Sequence, residues 1–289
     1  MIPKIILGTA NFGSPYGVAN GGKLLALEES KSITRWTQAN GNNHFDTAIA
    51  YRDAEKILGA SLDQTLNPTV DTKLDTKSCQ SRKSIVEAAK KTRDKLGVEM
   101  ISTLYLHDER LLQTSSVAEV SAGLREVLSI GVAKQIGVSS YSEDALIACK
   151  NALPELTVFQ VPENICDRRL IDSRHIQVLA EDGNTFLVRS IFLQGLLLMN
   201  PASLPLNLKS AVPELQSLIN FADQYSVTVI ELCLAYAYSI PWASGIVVGV
   251  ASLEQLQEIY NSSISLPAGW NSAIATLPTE IIDPRSWTK

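Results

Sequence analysis

The stretch HFDTAIAYRDAEKILGASL, residues 44–62, carries the pattern that decides the fold. His44–Thr47 reads as a short strand and Arg52–Leu62 as a helix, with Asp46 at the strand's end and Tyr51 just beyond it. The same alternation recurs on both sides of this stretch. Further strands are expected at Ile5–Thr9, Thr69–Lys73, Ser102–His107, Ala133–Val138, Thr157–Val161, Thr185–Ser190 and Gly245–Gly249. Between them, Ile85, Ala88, Ala89, Thr92 and Leu96 repeat at helical spacing, as do Val117, Val120, Leu124, Val127 and Leu128, and Leu215, Leu218, Ile219 and Ala222. Glu28–Ala39, Glu143–Leu153, Arg168–Asp182 and Leu253–Tyr260 fill the remaining gaps as helices.

Strands without clean polar alternation, each followed by a helix, are the mark of parallel strands buried on both faces. Eight such units in 289 residues predict an α/β fold of the closed (β/α)8 TIM-barrel type. An open doubly wound sheet is the runner-up. Its G-x-G-x-x-G signature after the first strand is absent, the sequence there being GTANFGSPYG. No linker rich in Pro, Gly or Ser divides the chain. Residues 1–289 therefore read as one barrel domain, with a tail, 265–289, expected near the active-site rim. Leu196–Ala211 carries no clear element.

Composition limits the function classes. Hydrophobic residues make up 45% of the chain and charged residues 19%, too apolar a balance for a disordered protein. A net charge of −5 argues against a protein that coats nucleic acid. The apolar runs at Leu193–Met199 and Gly245–Val250 are too short to cross a bilayer, and MIPKIILGTANFG does not read as a secretory signal. The 4 cysteines form no C-x-x-C pair and read as free thiols, so a cytoplasmic location is expected.

In a barrel, function sits at the carboxyl ends of the strands. Three successive strands end in HFDTAIAY, DTK and LYLHD, placing Asp46, Tyr51, Lys73 and His107 on one rim. Taken singly, each has a commoner structural role as a turn, packing or surface residue. Together they make a chemical unit. A Lys ammonium beside a phenol stabilises tyrosinate and lowers the phenol pKa, an Asp holds the Lys charged and in place, and a His can hydrogen-bond the reacting oxygen. Tyr51 is then a proton donor to a carbonyl oxygen.

On these residues the sequence resembles the aldo-keto reductase superfamily over nearly the whole chain. LGTANFG, GNNHFDTAIAYRDAEKILG, TK, LYLHD, GVSS, FQVPEN and VVGVASLEQLQE follow in that family's order. The resemblance implies an aldo-keto reductase-like barrel that binds a nicotinamide dinucleotide, NADP(H) in most members, and moves a hydride between it and an aldehyde or ketone. Tyr51 is then the general acid/base, Asp46 and Lys73 tune it, and His107 orients the substrate carbonyl.

The cofactor positions implied by the resemblance are Gly8, Thr9 and Asp46; Ser139 and Ser140, where the family has Ser-Asn; and Gln160. Arg189 stands where the family stacks an aromatic on the nicotinamide, before Ser190, and Phe192 is a second stacking candidate. Gly249, Val250, Ala251, Ser252, Gln255 and Glu258 fall where the family grips the adenosine end. No Lys or Arg occurs from Gly245 to Ile264, so a 2′-phosphate there relies on neutral donors, the start of the helix or a residue such as Lys209. NAD(H) is therefore a second candidate cofactor.

The substrate side is expected to draw on Asn11, Phe12 and Tyr16, with Tyr51 and His107; Asp108–Arg110 and Trp270 or Trp287 are further candidates. A small-molecule carbonyl is the expected partner, with no nucleic acid or membrane, in a monomer or small homo-oligomer. Two rival readings are a barrel aldolase using a Lys73 Schiff base and a cofactor-sensing barrel protein with weak catalysis. The 3 histidines lack the H-x-H or H-E-x-x-H spacing of a metal hydrolase.

Overall fold

The computed structural model describes residues 4–21, 23–114, 116–262 and 265–287. Eight parallel strands close into a barrel in chain order. They are β1 (Lys4–Gly8), β2 (His44–Asp46), β3 (Thr69–Leu74), β4 (Ile101–Leu106), β5 (Ala133–Ser139), β6 (Val158–Pro162), β7 (Thr185–Arg189) and β8 (Gly245–Gly249). Each begins and ends within one residue of its expected limits. Closure rests on five register pairs between β1 and β8, from Lys4↔Gly245 to Gly8↔Gly249, and this rules out the open sheet.

Helices cover the outside: α1 (Ala10–Gly13), α2 (Leu27–Ala39), α3 (Ala54–Ser61), α4 (Arg82–Leu96), α5 (Val117–Ser129), α6 (Glu143–Ala152), α7 (Arg174–Glu181), α8 (Val212–Tyr225), α9 (Val229–Ser239), α10 (Leu253–Asn261), α11 (Trp270–Ala273) and α12 (Thr279–Ile282). Local chemistry sets their limits. Ser81 and Ser84 form a reciprocal cap at the start of α4, and Gly97, at φ +67°, ends it. Among the described residues no helix is long and apolar enough to cross a membrane.

Of the helices longer than four residues, two depart from the sequence expectation. The one expected over Arg168–Asp182 begins only at Arg174. The residues before it instead form a tight loop closed by the Asn164–Asp167 bridge. There the buried Glu163 accepts hydrogen bonds from Tyr236 Oη at 2.6 Å and Leu170 N at 3.0 Å. Helix α9 has no counterpart in the sequence reading, because VIELCLAYAYS is apolar nearly all round and shows no helical stripe. Leu196–Ala211 holds short 3-10 turns at Leu193–Leu198, Pro201–Ser203 and Leu206–Ala211.

The core has two parts. A large apolar layer lies between the sheet and the helices. Inside the barrel a smaller group, Ile6, Tyr105, Val158 and Leu187, packs with Val247. A Cβ on Gly137 would stand 2.4 Å from Val158 O and 2.7 Å from the Tyr105 ring, so glycine there makes room for that ring. Side chains alternate across each strand, and the inward set turns polar toward the carboxyl ends: Asp46, Lys73, Ser139, Gln160 and Arg189. The barrel interior is thus apolar in its middle and polar only toward the carboxyl ends of the strands.

Candidate active site

A cavity of about 840 Å³ opens at the carboxyl ends of the strands, within the ~300–1,000 Å³ range of sites that hold small molecules and cofactors. Its floor includes inward-facing residues from every strand or the residue just beyond it: Gly8, Asp46, Lys73, His107, Ser139, Gln160, Arg189 and Gly249. These are consequences of strand parity, since each lies two residues beyond another inward-facing position.

The four residues expected to work together meet here. Lys73 Nζ donates to Asp46 Oδ2 at 2.5 Å and to Thr47 O at 3.1 Å. Both Lys73 and Asp46 are buried. The other Asp46 oxygen accepts from Gln160 Nε2 at 2.9 Å, so one carboxylate ties three strands together. Lys73 Nζ lies 5.6 Å from the centroid of the Tyr51 ring. The His107 ring stands edge-on to Tyr51, with centroids 5.8 Å apart, and the Tyr16 ring approaches from another side at 6.4 Å.

Electrostatics differ in one respect from the sequence expectation. Lys73 was expected to lower the Tyr51 phenol. Instead, burial and then the Asp46 carboxylate push the phenol above its ordinary value, and the opposing cation is Arg189. Burial likewise pulls Lys73 down, with Asp46 resisting. Burial, followed by the Lys73 and Arg189 charges, pushes the His107 imidazole down to about 3. At neutral pH the site therefore presents a protonated phenol and a neutral imidazole.

Backbone packing holds Tyr51 in place. It ends a 3-10 turn, Ile49–Tyr51, and Arg52 after it adopts φ +55°, a conformation costly for a non-glycine residue and sustained only by its surroundings. Helix α1 presses on this turn. A Cβ on Gly13 would stand 2.1 Å from Tyr51 O and 2.4 Å from Ala54 N.

Most of the cofactor candidates line the cavity. Gly8, Thr9, Ser139, Ser190, Ala251, Ser252, Gln255 and Glu258 line the cavity with those already named. Two do not. Ser140 follows the inward-facing Ser139 and points the other way; its hydroxyl donates to Ser142 O at 3.0 Å. Val250 packs its side chain into the apolar layer, and only its carbonyl takes part, accepting from Asn11 Nδ2 at 2.7 Å. Of the substrate candidates, Asn11 and Tyr16 line the cavity, but Phe12 is buried in the apolar layer beneath α1. Asp108 pairs with the exposed Arg110 at 2.6 Å, Trp270 packs on Tyr236, and Trp287 Nε1 donates to Ile281 O at 3.0 Å. None of these lines the cavity, nor does Lys209.

The described residues fit a dinucleotide. Asn11 Oδ1 is buried without a hydrogen-bond partner among the described residues, an acceptor left for a donor on a bound molecule. Gly8 and Gly249 lie side by side in register and line the wall without side chains. Phe192 also lines it.

Arg189 makes no carboxylate pair within ion-pair distance among the described residues. Its guanidinium donates to Ser190 Oγ at 3.2 Å and stacks over Tyr141, with its carbon 4.1 Å from the ring centroid. Tyr141 went unnoticed in the sequence, although it directly follows the Ser139–Ser140 pair. Arg285, from the tail, stacks on the same ring at 3.6 Å, which brings the tail to the cavity wall; residues 288 and 289 lie outside the described residues. The roof was also missed. Val18 N donates to Gln194 O at 3.0 Å, joining the loop after α1 to the loop after β7, where Ser190, Leu193 and Gln194 all have positive φ.

Comparisons with known proteins agree with this geometry. The family model described as "Aldo/keto reductase family" matches residues 4–275. A probable voltage-gated potassium channel subunit beta of Arabidopsis thaliana is 24% identical over 272 residues, covering 82% of each chain. The oxidoreductase sirO of Leptosphaeria maculans is 30% identical over 220 residues, covering 70% of this chain and 63% of that protein. Among solved structures, the thermostable aldo-keto reductase Tm1743, crystallised with the inhibitor epalrestat, superposes with a TM-score of 0.70 at 19% identity, covering 94% of this chain and 93% of that one. Gox0644 in its apo form superposes with a TM-score of 0.69 at 17% identity, covering 99% and 92%. A family match over nearly the whole chain, on a closed eight-stranded barrel, makes this protein a member of the aldo/keto reductase family, a family of oxidoreductases.

Proposed function

We propose that this chain is an NAD(P)H-dependent carbonyl reductase that converts an aldehyde or ketone to an alcohol, with Tyr51 as the proton donor. The observation that carries this reading is the buried Lys73–Asp46–Gln160 cluster beneath Tyr51 and His107 in one cavity. When bound, a reduced nicotinamide supplies the hydride to the carbonyl carbon.

The chain's own residues do the rest. Tyr51, kept protonated by burial and Asp46, donates its proton to the carbonyl oxygen as negative charge develops there. His107, a neutral imidazole, offers an N–H to the same oxygen. Lys73, held by Asp46 and Thr47 O, fixes the Asp46 carboxylate beneath the phenol, and the Arg189 guanidinium is the cation that opposes the rise of the phenol and stabilises the tyrosinate left behind. Arg189, with no carboxylate partner among the described residues, favours a neutral ring over a cationic one on the cavity wall, and so favours binding of the reduced nicotinamide and release of the oxidised one. The same buried site and the free, buried cysteines support a cytoplasmic enzyme acting on a small molecule.

The test is direct. Purified protein mixed with NADH or NADPH loses the reduced-nicotinamide absorbance when an aldehyde is added, and the reading fails if no carbonyl in a broad panel is turned over. A second reading, a cofactor-sensing subunit without turnover, draws support from the plant relatives named as channel subunits. Tight cofactor binding with no oxidation would favour it. The Schiff-base aldolase is less well supported, because Lys73 Nζ is already held by two oxygens.

A further inference from the structure

The two ends of the cavity differ in charge. Its cationic lining residues among those described, Lys73 and Arg189, both stand at the Tyr51 end. If hydride chemistry occurs at Tyr51, the nicotinamide half of a dinucleotide must lie there, and the adenosine half extends to the far end. That end is lined by Ala251, Ser252, Glu254, Gln255 and Glu258 at the start of α10.

A helix start is ordinarily an anion site, because its first N–H groups are unpaired. At α10 these groups are already taken. Ala251 N donates to Gln255 Oε1 at 2.7 Å. Leu253 N donates to Glu29 Oε1 of α2 at 2.8 Å. Gln255 N donates to Ser252 Oγ at 3.2 Å, and the Glu254 carboxylate is held below its ordinary range by its own N–H and the Ser252 hydroxyl. The anion site has thus been filled from within the protein, by a carboxylate brought in from another helix. Of the cations on α2, Lys31 is committed to Glu28 at 2.7 Å, and neither Lys31 nor Arg35 lines the cavity.

A 2′-phosphate here would meet the Glu254 and Glu258 carboxylates and, among the described residues, no lining cation and no spare N–H in the first turn of α10, because Glu29, which does not itself line the cavity, takes Leu253 N. A ribose 2′-hydroxyl would meet Glu254 and Glu258 as hydrogen-bond acceptors, the arrangement that suits NAD. We infer that this chain selects a nicotinamide dinucleotide lacking the 2′-phosphate, NAD(H) rather than NADP(H), and that Glu29 is a specificity-determining residue. The inference rests on the oxidoreductase reading of the cavity.

The experiment is a fluorescence titration of the purified full chain with NADH and with NADPH at one fixed ionic strength. NADH is expected to bind at least about tenfold more tightly, since placing like charges together costs several-fold to many-fold in affinity. Glu29→Gln keeps an acceptor for Leu253 N but removes the charge. It is expected to narrow the NADH-to-NADPH ratio by about threefold or more through tighter NADPH binding. Glu254→Lys, on an exposed turn where folding is not at stake, is expected to narrow it further. Equal or tighter NADPH binding by the wild type overturns the cofactor selection while leaving the oxidoreductase reading standing. An unchanged ratio in Glu29→Gln overturns the role of Glu29. Binding of neither nucleotide overturns both readings.

Discussion

The Arg285 guanidinium carbon lies 3.6 Å from the centroid of the Tyr141 ring, so a residue of the tail packs on the wall of the cavity at the strand ends. Arg189 stacks on the same ring at 4.1 Å, and Arg189 is the cation that most opposes the rise of the Tyr51 phenol. Asp283 holds Arg285 at 2.7 Å, and Glu109 lies at 3.4 Å. Arg285→Ala removes one cation–π contact, worth about 0.5–2 kcal/mol, and frees Tyr141 and Arg189 to move. Steady-state kinetics should show a KM for the carbonyl raised about 3- to 10-fold, with a thermal midpoint within a few degrees of wild type.

Tyr51→Phe removes the phenolic proton and leaves the ring. Carbonyl reduction should fall by about 10²–10⁴-fold, the range for loss of a positioned general acid. Dinucleotide affinity, read by fluorescence, should stay within about twofold. Retained turnover would rule out Tyr51 as the proton donor.

Asp46→Ala leaves the Lys73 ammonium buried without its counter-charge and Gln160 without its acceptor. Breaking one half of a buried pair costs about 3–5 kcal/mol. Urea unfolding should show that loss, and the double variant Asp46→Ala/Lys73→Met should recover a large part of it.

Gly13→Ala touches no reacting side chain, yet its Cβ would stand 2.1 Å from Tyr51 O. The turn carrying Tyr51 must shift, and small misplacements of a reacting group cost up to about 10²-fold in rate. Turnover should fall 10- to 100-fold, a loss visible as lower kcat with the circular dichroism spectrum intact.

Two buried groups give stability opposite slopes with pH. Burial pushes the Glu163 carboxyl from an ordinary 4.5 up to about 8. Between those values the native chain binds a proton that the unfolded chain lacks, so the stability it contributes is complete below 4.5 and is lost as pH rises to 8. His107 falls from 6.5 to about 3, so the unfolded chain binds more protons between those values. Its contribution is complete above 6.5 and is lost as pH falls toward 3. From pH 6.5 to 8 only the Glu163 slope remains of these two, and the thermal midpoint should fall by more than about 3 °C. Glu163→Gln should flatten that decline in a pH series of melts.

The eight strands and the set Asp46, Tyr51, Lys73 and His107 were legible in the chain, because strand runs, helical spacing and residues at strand ends are local patterns. Helix α9 was not legible, since a segment buried on nearly every side carries no amphipathic stripe. Facing direction at the strand ends was also hidden. Ser139 and Ser140, or Gly249 and Val250, differ by one position, and in each pair only the first lines the cavity. Residues that meet from distant parts of the chain leave no spacing to read. Glu29 reaches Leu253 N across a sequence separation of 224, and Arg285 meets Tyr141 only after barrel closure brings the tail to the rim. Order along the chain thus told which elements form and which chemistry lies at the strand ends. Closure alone decided which side chains face inward, which cation opposes the Tyr51 phenol, and which carboxylate occupies the start of α10, because burial and charge pairing depend on distances in space.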